Sequence, residues 1–126
     1  MIIEIDDSKT IEDIQDSFNT AFPFLKIEFY EHPHHWYEPS SLQTEIKKTK
    51  KIADIRKQHN HGILKIYSWF KTGDVEQLFR KEFDLYIQVF YRQKNKWVQS
   101  AGSDNLTLKE QNAIGQSSEK SGLSSK

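Results

Sequence analysis

Two hydrophobic periods alternate along this chain, and they recur in the same order twice. Ile2, Ile3 and Ile5 open a short strand. Thr10, with Asp13 three residues on, reads as a helix N-cap close to a capping box. Ile11, Ile14, Phe18, Ala21 and Phe22 follow at helical spacing, so helix 11–22 has one apolar face, and Pro23 ends it. Leu25, Ile27 and Phe29 then alternate with Lys26, Glu28 and Tyr30, the period-2 mark of a half-buried strand.

Residues 31–40 carry two prolines and read as a loop. Ser40 with Gln43 predicts the cap of a second helix, 41–58, whose apolar stripe (Leu42, Ile46, Thr49, Ala53) is thin and whose lysines are many. Such a helix would lie exposed across one side of the domain, with Gly62 as its stop. A strand over 63–70, a turn at Lys71–Gly73 and a helix 74–83 capped by Asp74 come next. Val75, Leu78, Phe79 and Phe83 give that helix its apolar face. Residues 85–92 alternate again, Gln93 to Lys96 turn, and 97–99 pair back as a hairpin. Asp104 or Asn105 caps a short helix that Gly115 stops, and the Ser- and Lys-rich tail 116–126 is expected to be disordered.

The string FYEHPHHW (Phe29–Trp36) returns as FYRQKNKW (Phe90–Trp97), an offset of 61. The segments around it match as strand-helix-strand units, 2–36 and 63–97, with gaps: Ile11 to Val75 is offset by 64, Phe22 to Phe83 by 61. Two such units in tandem predict a single α+β domain over 1–115, a mostly antiparallel sheet with helices packed on one face. A ferredoxin-like arrangement, with the basic helix 41–58 and a hairpin strand added, is the first expectation; a β-grasp is the alternative.

Composition narrows the chemistry. The chain has 126 residues, no cysteine, and 16 aromatic residues: eight Phe, five Tyr and three Trp. Disulfides, thiolate metal sites and cysteine nucleophiles are excluded. No apolar run approaches a membrane span, and MIIEIDD lacks a secretory signal's features, so a cytoplasmic protein without a membrane partner is expected. Net charge is zero, yet residues 1–20 carry −5 and residues 46–61 carry +5. That split would suit self-association or a protein partner, or simply two solvated faces.

The segment Asp74–Gly115, with Trp97, Asp104, Leu106, Thr107, Leu108, Glu110, Gln111 and Asn112, resembles the C-terminal block of small uncharacterised bacterial proteins, in which a Trp-bearing hairpin precedes a TLxEQN helix. Leu106 stands where that pattern has an aromatic. The resemblance covers about a third of the chain and implies a recurring structural unit in a bacterial protein, with no activity attached.

No catalytic residue emerges: no Gly-x-Ser-x-Gly elbow, no phosphate loop, and acidic residues that a helix N-terminus explains. No cofactor is implied. His32, His34, His59 and His61 would serve a metal only if two loops converged, and no carboxylate or thiolate stands at a recognised ligand spacing. The letters His-Asn-His at 59–61 carry no nuclease meaning. Lys47, Lys48, Lys50, Lys51, Arg56 and Lys57 would contact phosphates in a nucleic-acid binder, but the zero net charge argues against one. Trp36, Tyr37, Trp69 and Trp97 are the candidate partner-binding residues, since Trp and Tyr dominate binding hot spots. Trp36 and Trp97, buried, would instead plug the two ends of the core. The expectation is a small non-catalytic interaction domain with a protein partner or a second copy.

Overall fold

The computed structural model describes residues 1–31, 45–100 and 105–124. It has the expected α+β character, with antiparallel strands throughout the described residues. Strand β1 (Ile2–Ile5) leads to helix α1 (Ile11–Ala21) and strand β2 (Leu25–Tyr30). Strand β3 (Gly62–Lys65), helix α2 (Thr72–Phe83) and strand β4 (Tyr86–Gln93) repeat that order, and strand β5 (Lys96–Gln99) and helix α3 (Leu108–Ser124) follow.

The strands form two sheets, where a ferredoxin-like or β-grasp fold would join them in one. β1 pairs with β3, and the second sheet has the order β2-β4-β5. β4 is central, with β2 on one side and β5 on the other, so neither of its sides is left for β1. Each strand of the first unit thus pairs with its counterpart in the second. The β4–β5 turn places Lys94 and Asn95 at φ 48° and 66°, the left-handed pair that a two-residue hairpin requires.

The core lies between the two sheets and the two helices. Ile3, Ile5, Leu64 and Ile66 supply one wall; Leu25, Ile27, Phe29, Leu85, Ile87 and Val89 supply the other. Phe29 and Phe79 meet edge to face inside it at 6.2 Å. The helices repeat without gaps: Ile11, Ile14, Phe18 and Phe22 correspond to Thr72, Val75, Phe79 and Phe83, all buried and all 61 apart. A one-residue deletion follows, so Leu25, Ile27 and Phe29 correspond to Leu85, Ile87 and Val89, 60 apart. The Phe-Tyr echo at an offset of 61 is therefore one residue out of structural register. Phe29 faces the core, while Phe90 and Trp97 lie on the opposite face of their sheet, because a one-residue step in a strand reverses the face.

The entrances to α1 and α2 are built alike. Ile11 N–H donates to the Lys50 carbonyl and Ile52 N–H to the Lys9 carbonyl; their counterparts are Thr72 N–H to Leu106 and Leu108 N–H to Phe70. These bonds explain two departures from expectation. Over residues 45–58 no α-helix forms; the segment is extended, turns, and makes one 3₁₀ turn at Ile52–Asp54. Its backbone is committed elsewhere: Lys48 and Lys50 carbonyls satisfy the free N–H groups of Glu12 and Ile11 at the start of α1. Strand β3 likewise ends early. Its ladder stops at Ile66, which bonds Met1, and Tyr67–Phe70 turns into α2, which starts at Thr72 with Asp74 inside the first turn.

The end of the chain differs as well. α3 runs through Gly115 to Ser124, where a stop at Gly115 and a disordered tail were expected. Gly115 serves packing: a Cβ there would stand 2.9 Å from the Phe24 Cβ and 3.0 Å from its carbonyl oxygen. Beyond it Glu119 accepts hydrogen bonds from Arg92 at 2.7 Å and from the Asn95 N–H at 3.1 Å, which ties the helix to the β4–β5 hairpin.

Candidate binding face

Strand alternation gives the β1–β3 ribbon two chemically distinct faces. Ile3, Ile5, Leu64 and Ile66 point into the core. Ile2, Glu4, Ile63 and Lys65 point outward, and Tyr67 continues their phase past the end of β3. Ile2 is 68% exposed, Ile63 63% and Trp69 66%. The Trp69 ring lies flat on Tyr67, with centroids 4.6 Å apart and planes 6° from parallel. Phe70 stands edge-on to both and packs against the core, so it fixes the stacked pair to the start of α2.

The two units diverge at this turn. The counterparts of Tyr67 and Trp69 in the first unit are Asp6 and Ser8, 61 residues earlier. There Asp6 accepts the N–H and the hydroxyl of Ser8, and these bonds, against a smaller effect of burial, hold its carboxyl below the usual value. The outer face of the ribbon thus has an aromatic end and an acidic end.

At the acidic end the histidines take carboxylates one by one. His59 Nδ1 lies 2.8 Å from Asp7 Oδ2, and His61 Nε2 lies 2.9 Å from Glu4 Oε1. His59 and His61 therefore do not share a centre. His32 and His34, like Trp36 and Tyr37, lie outside the described residues. Burial pulls the Asp7 carboxyl upward, but the Arg56 guanidinium and His59 outweigh it and leave its pKa lowered.

Arg56, a candidate phosphate contact, is taken up inside the fold. Its side chain is buried and donates to Asp7 Oδ1 at 2.9 and 3.0 Å, to the Phe83 carbonyl at 3.1 Å and to the Asn60 carbonyl at 2.7 Å. Lys47, Lys48, Lys50, Lys51 and Lys57 are exposed. The acidic segment 1–20 and the basic segment 46–61 pack against each other through the Asp7–Arg56 ion pair and the contacts of His59 with Asp7 and His61 with Glu4. One charge of each sign is thus paired within the molecule.

Trp97 does not plug the core. It is half-buried on the outer face of β2–β4–β5, with Lys26 Nζ 5.3 Å and Arg92 Cζ 5.2 Å from its ring. On the same face Glu28 is pushed above the usual carboxylate value, by burial first and by the nearby charge of Glu45 second. An open cleft of about 360 Å³ borders Glu31, Arg56, Asp84 and Tyr86, and the Arg56 and Asp84 side chains there are engaged within the fold. Asp84 there accepts the N–H groups of Lys57 and Gln58.

Sequence reasoning singled out Trp69 and missed Tyr67, on which it stacks, and the outward Ile2 and Ile63. The signal was present: Ile2-Ile3 and Ile63-Leu64 are apolar in both phases of a strand, which a one-sided ribbon does not need. Among the described residues no helix is long and apolar enough to cross a membrane. Comparison with family models, with curated proteins and with solved structures gives no match to this chain.

Proposed function

We propose that this is a non-catalytic interaction domain that seats a protein partner on the outer face of β1–β3. The observation that carries this reading is the Tyr67–Trp69 stack, with Trp69 66% exposed at one end of a ribbon whose outer face also carries Ile2 and Ile63. A scattered exposed apolar residue is ordinary, but large ones gathered on one face mark interaction sites. Stacking and the Phe70 wedge hold the pair in place, so a partner orders little on docking. Lys65 pairs with Ile2 and Glu4 with Ile63 across the ladder, so each outward isoleucine has a charged neighbour to supply the polar contacts such interfaces have. A partner other than a second copy is favoured, because Asp7 and Arg56, one charge from each side of the split that would drive self-association, are already paired inside the molecule.

Trp69→Ser tests the reading. The variant should keep its urea midpoint within about 0.5 kcal/mol of the parent, as surface substitutions do. It should fail to retain a stoichiometric partner that the parent chain and a Lys50→Ser control both retain. Equal retention by all three proteins contradicts the proposal. Sedimentation over a range of concentration and salt separates the second-copy case: a concentration-dependent dimer lost in the variant would replace the partner with another copy of this chain.

A further inference from the structure

The acidic end of the same ribbon carries a second, independent feature. Glu4 and Asp6 are two apart on β1 and its continuation, so they share the outer face. The last ladder pair is Ile5 with Gly62, and Asp6 and His61 are the chain neighbours of that pair on the same end of the ribbon. One oxygen from each carboxylate and one imidazole nitrogen all lie within 4.8 Å of one another. Backbone pairing sets this convergence across 57 residues of sequence, the separation of Glu4 and His61.

We propose that Glu4, Asp6 and His61 form a binding site for a divalent transition-metal ion. One imidazole and two carboxylates at one end of the β1–β3 ribbon make a three-ligand set that leaves solvent-facing positions open, the donor chemistry that Zn²⁺ and its neighbours accept. His61 alone does not balance two carboxylates, and Lys9 acts on Asp6 only as a minor charge. The Ser8 N–H and hydroxyl grip Asp6 from behind, which orients a first ligand as outer hydrogen bonds do in metal sites. Asp7 is outside the set, since Arg56 and His59 occupy its two oxygens.

Calorimetric titration of the full chain with Zn²⁺ alone tests this site. The parent should bind with one equivalent at this site. His61→Ala and Asp6→Asn should each weaken binding by roughly tenfold or more, as loss of a ligand or of its support does. His59→Ala and the triple change His32→Ala, His34→Ala, His35→Ala should leave that binding in place. Urea unfolding gives a second readout: Zn²⁺ should raise the midpoint of the parent and of His59→Ala but not that of His61→Ala, and an equal rise in His61→Ala overturns the site. No binding by the parent, binding unchanged in His61→Ala, or binding abolished by the triple change overturns the site. The Trp69 experiment above is unaffected by any of these results, so the two readings fail separately.

Discussion

Ile3 pairs directly with Leu64 across the β1–β3 ladder, and the two are counterparts 61 residues apart. A strand that meets its own counterpart at its own counterpart position is the signature of an approximate two-fold relation between the units. The same relation places Phe18 of α1 and Phe79 of α2 in equivalent, fully buried positions. Phe18→Ala and Phe79→Ala should therefore cost similar amounts, about 3–5 kcal/mol each, by equilibrium urea unfolding. A loss below about 1 kcal/mol at either position would show that the helices do not share one core.

Arg56 should matter for folding and not for ligand binding. Its buried guanidinium joins Asp7 to the carbonyls of Phe83 and Asn60. Arg56→Met should destabilise by about 2–3 kcal/mol, less than a fully buried pair because Asp7 is partly solvated. The same protein should bind RNA and DNA no differently from the parent at low salt. A nucleic-acid affinity that falls with an unchanged urea midpoint would contradict this role.

Gly115 is the point of closest approach between α3 and Phe24. Alanine is ordinarily the better helix residue, by roughly 0.5–1 kcal/mol. Here the added methyl meets a Cβ and a carbonyl oxygen, so Gly115→Ala should be destabilising by about 1–2 kcal/mol net. Thermal unfolding decides the sign, and a stabilised variant would mean that the helix sits further away.

Acid should weaken the fold through Asp84. Burial pulls its carboxyl upward, but the N–H groups of Lys57 and Gln58, then Tyr86 and the Lys57 charge, hold it below the ordinary 3.8. A carboxyl lowered on folding contributes stability above its unfolded value and loses it as pH falls through the folded one. The urea midpoint should thus drop below about pH 4, and Asp84→Asn should shrink that drop. Asn tolerates the left-handed backbone at this position, where φ is 56°, so the variant should fold. Glu28 runs the other way: raised by burial and by Glu45, it favours the fold below its ordinary 4.5 and less as pH rises through its raised value.

How far the sequence revealed this molecule depends on whether local or distant bonds decide each element. The α1 cap, the apolar faces of both helices and the β4–β5 turn rest on neighbours in sequence, and they were legible. The segment 45–58 was not, because its carbonyls and N–H groups bind the residues around Lys9 and Glu12. Gly115 looked like a helix stop because its reason, Phe24, lies far away in the chain. The Phe-Tyr echo joins positions one residue out of structural register, while the buried positions of α1 and α2 match at a constant offset of 61. Of the candidate site only Trp69 was visible; the face around it depended on which strand edge pairs with which.

Photo-crosslinking at the aromatic end of the ribbon tests the central claim most directly. A photoreactive phenylalanine analogue is placed at position 69, or at the exposed position 50 as a control, in chains made in their native cells. The account predicts one discrete adduct from position 69 that excess parent chain competes away, and none of that mass from position 50. No discrete adduct at position 69, or the same adduct from both positions, would contradict it.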